Sequence, residues 1–250
     1  MKKFWLAATV VAGLLLTLSP LRAADLKVLA GGAFAGPLAD IGPKFEAASG
    51  HKLLIVYGAV PQLIKQTAAG EPFDVGIFPR QVFADASAAA RFAPGARPSI
   101  ARVGYGVAVK AGAPKPDVST PDALKAALLK AQSVTFLPES AAGAYVMSVF
   151  DRLGIAAEMK AKTKPQPDAA KIAQAVANGD AELGVFLINV FVVPGVDIAG
   201  PFPGDLQQEL IYEGVSPTDS KQADAAKAFI DYLRTPEAVA VMKAKGMTPG

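Results

Sequence analysis

Three stretches of small residues lie where an apolar run gives way to a helix-like one, and their residue types suit the capture of an anion. The first, Gly31-Gly32-Ala33-Phe34-Ala35-Gly36-Pro37, follows the run Leu26 to Ala30. The second is Gly58-Ala59-Val60-Pro61, and the third Leu137-Pro138-Glu139-Ser140-Ala141-Ala142-Gly143. A proline in the first turn of a helix lacks only a donor that the helix does not use, and the neighbouring N–H groups stay free. Free N–H groups at the positive end of a helix attract negative charge, and small side chains let the backbone approach it closely. The candidate binding residues of these junctions are Gly32, Ala33, Phe34, Ala59, Val60, Ser140 and Ala142. Arg80, in Ile77-Phe78-Pro79-Arg80, adds a guanidinium able to grip a carboxylate with two prongs.

Catalytic and metal-binding patterns are sparse. The only histidine, His51, lies in a turn before a strand, the wrong end of a parallel sheet for a Ser-His-Asp system. Ser49-Gly50-His51-Lys52 matches Ser-x-x-Lys, but Ser49 falls in a helix-ending turn and no supporting motif accompanies it. Walker A, Gly-x-Ser-x-Gly and His-Glu-x-x-His patterns are absent. With one histidine and no cysteine, neither a transition-metal site nor a cofactor is expected. Tyr57 is assigned to the core. These residues predict a binding protein and not an enzyme.

The elements that must position the junctions alternate between strand and helix. Leu26 to Ala30, Lys52 to Tyr57 and Phe73 to Phe78 read as strands. The spacing of Leu38, Ile41, Phe45 and Ala48 predicts a helix ended by Gly50, with Pro43 expected to bend it or cost about 3 kcal/mol. Leu63 to Ala69 is a second helix. A long strand, Arg102 to Lys110, precedes a proline-rich stretch, after which the rhythm restarts. Helices are predicted over Pro121 to Lys130, Ala142 to Leu153 and Ala169 to Ala177, and strands over Val134 to Leu137, Glu182 to Ile188 and Leu206 to Tyr212. Two helices, Lys221 to Leu233 and Pro236 to Lys245, close the chain. The echo between AAGEPFDVGIF (68–78) and ANGDAELGVF (177–186) suggests two lobes of similar βαβ construction. The expected division is residues 25–102 with 213–250 as lobe one and 103–212 as lobe two, with a cleft between.

Composition adds the setting. Lys2 and Lys3, the apolar stretch Phe4 to Leu18 and the small residues before Ala23 form a secretory signal peptide pattern over residues 1–23. No cysteine follows for lipid attachment, so a free periplasmic protein without disulfides is expected. Loss of Lys2, Lys3 and Arg22 lowers Lys plus Arg from 25 to 22, equal to the 22 Asp plus Glu. A neutral chain without basic runs is not expected to bind nucleic acid or an anionic membrane surface.

The order KVLAGGAFAGPLADIGPKFEAASGHKL, YGAVPQLIKQTAAGEPFDVGIF, AQAVANGDAELGVF and AAKAFIDYLRTPEAVAVMKAKGM resembles the molybdate-binding family of periplasmic solute-binding proteins of ABC importers, over residues 25–249. The resemblance implies a type II fold with two α/β lobes, each a mainly parallel sheet flanked by helices. It also implies a monomer that closes on a small anion and meets an ABC permease of the inner membrane. That family holds tetrahedral oxyanions through a serine matching Ala33, a second matching Val60, a tyrosine matching Leu187, and backbone amides near Ala142 and Ala169. Three side-chain donors are therefore missing here. At roughly 1.5–3 kcal/mol each, their loss lowers oxyanion affinity at least about a thousandfold. A small organic carboxylate is the expected ligand. An enzyme on the same scaffold, as in the porphobilinogen deaminase group, and a receptor feeding a sensor are the alternatives.

Overall fold

The structure is a computed structural model describing residues 23–95 and 97–250; the segment assigned to the signal peptide lies outside them, apart from Ala23. No helix among the described residues is long and apolar enough to cross a membrane.

The first half opens with β1 (Asp25–Gly31), α1 (Ala35–Ser49), β2 (Lys52–Gly58), α2 (Val60–Ala68), β3 (Val75–Pro79) and a short α3 (Ala86–Ala89). Strand β1 is parallel to both β2 and β3. A single 3-10 turn, Gly32–Phe34, joins β1 to α1. Helix α1 runs unbroken through Pro43. Pro43 and Ala39, four residues before it, are both exposed, so the carbonyl that loses its partner faces water, while Leu38, Ile41 and Phe45 form the buried face. Gly50 ends the helix at φ 76°, a conformation glycine adopts without Cβ strain.

The chain then passes along β4 (Ser99–Lys110) into α4 (Pro121–Lys130), β5 (Val134–Phe136), α5 (Ala141–Arg152), α6 (Ala156–Lys162), β6 (Thr163–Pro165), α7 (Ala169–Asn178), β7 (Leu183–Leu187) and β8 (Val196–Pro201). It returns through β9 (Glu209–Val215), and α8 (Ala223–Tyr232), α9 (Pro236–Ala244) and β10 (Thr248–Pro249) complete it. Residues Ser99–Gly104 of β4 pair with β9, whereas Tyr105–Lys110 pair with β7 and β8. One strand thus belongs to two sheets, and the sequence boundary at 102/103 falls inside it. Parallel pairs such as β5 with β6 and β7 are combined with antiparallel β3–β9, β4–β7 and β4–β8, so each sheet is mixed, where mainly parallel sheets were expected. The strands linking the halves run opposite to their neighbours because they carry the chain back. Strand β8 went unpredicted because Gly195, Gly200 and Pro201 mask its short alternation.

Side-chain caps fix the helix starts. Thr120 Oγ1, Ser140 Oγ, Asp168 Oδ1 and Thr235 Oγ1 accept from the N–H groups of Ala123, Gly143, Lys171 and Ala238. His51 is structural: its Nδ1 accepts from the N–H of Ala24 at 3.1 Å, and its ring stacks on Phe45.

Candidate functional site

The turn before α1 and the starts of α2, α5 and α7 converge on one open-mouthed cavity between the halves, of about 110 Å³. One wall holds Gly31–Ala33, Tyr57–Val60 and Gln62; the other holds Ser140–Ala142, Pro167–Ala169, Phe186 and Leu187; Leu210 and Tyr212 lie between. The first N–H groups of each helix have no partner within the helix. Two of the caps are themselves held. Ser140 Oγ donates to the Leu137 carbonyl while accepting from Gly143, so its proton is committed. Asp168 Oδ1 accepts from the N–H of Lys171 at 2.8 Å, and Asp168 is an exposed residue at the cavity's edge.

Eight of the residues singled out from sequence line this cavity: Gly32, Ala33, Ala59, Val60, Ser140, Ala142, Ala169 and Leu187. Two do not. Phe34 is fully buried, its ring edge-on to Tyr212 at 4.9 Å, because the 3-10 turn directs it inward. Arg80 lies outside the lining, its Nε donating to Glu213 Oε1 at 2.8 Å. Strand pairing sets Glu213 opposite Phe78, and the buried carboxylate takes the nearest cation. Replacing Arg80 by alanine should leave ligand affinity unchanged while destabilising the fold by about 1–3 kcal/mol through the unpaired acid, read from the shift of the urea midpoint.

Tyr57, assigned to the core from sequence, is 40% exposed and borders the cavity. Asp168 and Tyr212 were missed. Pro167-Asp168-Ala169 carries a helix-cap signal, which would have marked a fourth junction. Nothing local distinguishes Tyr212 from a core residue.

No lysine, arginine or histidine lines the cavity among the described residues, and no cluster of metal-ligating side chains occurs among them. Negative charge must therefore be met by peptide dipoles and hydroxyls. Burial raises the Tyr57 hydroxyl above the usual phenol range. Burial, then the neighbouring Tyr105, does the same to Tyr212, while burial and then Tyr145 raise Tyr105. The phenols therefore stay neutral donors. An unfolded chain ionises them near the ordinary value of 10.0, whereas the folded chain holds their protons to higher pH. Their stabilisation is complete below pH 10 and is lost above it. The melting temperature should fall as the pH rises past about 10, and less steeply in a Tyr105→Phe/Tyr212→Phe variant.

The halves touch beside the cavity. Asn189 Nδ2 donates to the Ala33 carbonyl at 2.7 Å, a buried bond spanning 156 residues of sequence. A Cβ added to Gly32 would stand 3.9 Å from that of Ala169. The two walls are in contact at these points.

Two α/β halves meeting at a cleft of helix starts define the fold of the type II periplasmic binding proteins. The chain belongs to the bacterial extracellular solute-binding protein family, whose sequence pattern matches residues 26–248. It is 34% identical over 247 residues to a protein of a Pseudomonas species named aconitate isomerase, covering 94% of both chains. It is 29% identical to the molybdate-binding protein of Azotobacter vinelandii, covering 90% of both. The solved periplasmic molybdate-binding protein of Azotobacter vinelandii superposes with a TM-score of 0.74 at 21% identity, covering 90% of this chain and 99% of that one. The resemblance to the molybdate-binding family therefore holds. The expectation that the chain is not an enzyme does not: it is overturned by the similarity to a named isomerase.

Proposed function

We propose that the protein is an isomerase of a small unsaturated polycarboxylate of the aconitate type, acting inside the cleft. The observation that carries this reading is the 34% identity to a protein named aconitate isomerase, joined to a cavity whose lining includes one acidic residue, Asp168, and no cationic side chain. The substrate's carboxylates lie against helix N-termini, which favour negative charge. Its carbon frame lies against Val60, Phe186 and Leu187. Asp168 removes a proton from the methylene carbon beside the double bond. The C–H electron pair spreads over the three-carbon unit and into a carboxylate. Return of the proton to the far carbon forms the new C–H bond and moves the double bond, with no net gain or loss of atoms or electrons. The apolar part of the wall lowers the local dielectric and strengthens each polar contact.

The protein should convert trans-aconitate into its isomer, with deuterium incorporated at the methylene position in D₂O, as followed by proton NMR. Absence of both isomerisation and exchange would sink the reading. The lobe division at 102/103 and 212/213 belongs to it, with β4 and β9 as the hinge and contacts from both lobes supplying the differential affinity for closure. Family membership supports a periplasmic monomer whose liganded form meets an ABC permease, which pull-down with and without trans-aconitate would test.

A further inference from the structure

Gly31, at the end of β1, makes room for a side chain of the protein itself. A Cβ built there would lie 2.5 Å from Cε1 of Tyr212 and 3.3 Å from its hydroxyl oxygen. On another side the ring meets the edge of Phe34. Strand β9 fixes the backbone beneath, with Tyr212 opposite Pro79 on β3 and Ala101 on β4. The ring is thus held from three directions where the chain crosses between the halves.

Its hydroxyl is left available. No hydrogen bond from it to another described residue is found, whereas Tyr145 donates to the Leu206 carbonyl and Tyr232 to Glu237. Nor is it among the fully buried side-chain polar atoms without a partner, which are found in Thr67, Arg97, Asn189 and Ser216. Tyr212 lines the cleft beside Gly31, with its hydroxyl oxygen 3.3 Å from where a Gly31 Cβ would stand. Tyr57 lines it too, but stands well exposed to water. A buried phenol holds its proton and is a donor at any pH the fold tolerates.

We infer that Tyr212 is a catalytic residue that donates a hydrogen bond to the substrate carboxylate on which charge builds as the proton leaves carbon. The inference rests on the isomerase reading. A donor preset toward developing charge acts on the transition state more than on the ground state, and removal of one such donor typically costs about 10²–10³ in kcat. No proton need leave the phenol, so the cycle between Asp168 and the substrate stays balanced.

The test is Tyr212→Phe in the full chain, which keeps the ring and its packing. The expected result with trans-aconitate is a fall in kcat of about 100-fold with KM within a few-fold of the parent. The affinity for propane-1,2,3-tricarboxylate, which has no double bond to shift, should fall by no more than a few-fold, and the neutral-pH melting temperature should be unchanged. Gly31→Ala, which displaces the ring, should lower kcat as well. A Tyr212→Phe protein with the parent's kcat would overturn the inference and leave the isomerase reading standing. So would a loss of activity matched by a large fall in melting temperature, which would assign the hydroxyl to folding. A parent protein without isomerase activity would remove both.

Discussion

Asp168→Asn should abolish most turnover while leaving the protein folded. Asparagine caps a helix as well as aspartate does, so the bond from the Lys171 N–H survives and α7 keeps its start. The variant lacks a carboxylate able to take a proton. Positioned general bases contribute about 10²–10⁴ in rate, and kcat should fall by that factor. Affinity for propane-1,2,3-tricarboxylate should hold or rise, because a negative charge has left a site that holds anions. Circular dichroism and thermal melting would check the fold, and deuterium exchange into trans-aconitate would check the chemistry. Undiminished exchange would exclude Asp168 as the base and direct attention to the hydroxyls of the cleft.

The second large effect is a gain. Ala33, Val60 and Leu187 border one cavity, at the positions where the resemblance to molybdate-binding proteins implies two serines and a tyrosine. The combined variant Ala33→Ser/Val60→Ser/Leu187→Tyr should bind molybdate at least about a thousandfold more tightly than the parent. Each hydroxyl donated to a charged oxygen is worth roughly 1.5–3 kcal/mol, and about 4 kcal/mol in all corresponds to that factor. Isothermal titration with molybdate measures it. The same changes should weaken organic acids, because hydroxyls and a larger ring replace the apolar wall that meets a carbon frame. If molybdate affinity does not move, ligand choice is set by cleft shape and not by these donors.

Local chemistry was legible wherever one stretch of chain suffices to state it. The alternation of β1, α1 and β2, the proline in the first turn of α2 and the cap of α5 are written in neighbouring residues, and the junctions built from them do reach one cavity. Even Pro43 obeys this rule, since its effect depends on which face of one helix it occupies. Short elements such as α6 and β6 were not legible, because three to seven residues carry too little periodicity to separate from a loop.

The sequence by itself determined that this chain makes βα units with helix starts suited to negative charge, and that it resembles a known binding family. Only the tertiary structure decided which side chains line the cavity. Arg80 is taken by Glu213, 133 positions away, Gly31 yields its space to Tyr212, and Asn189 reaches across to Ala33. Such pairings depend on strand register and contact between the halves, and no periodicity within either segment encodes them. Helix starts form from contacts a few residues apart, whereas the floor of the cleft exists only where distant strands cross.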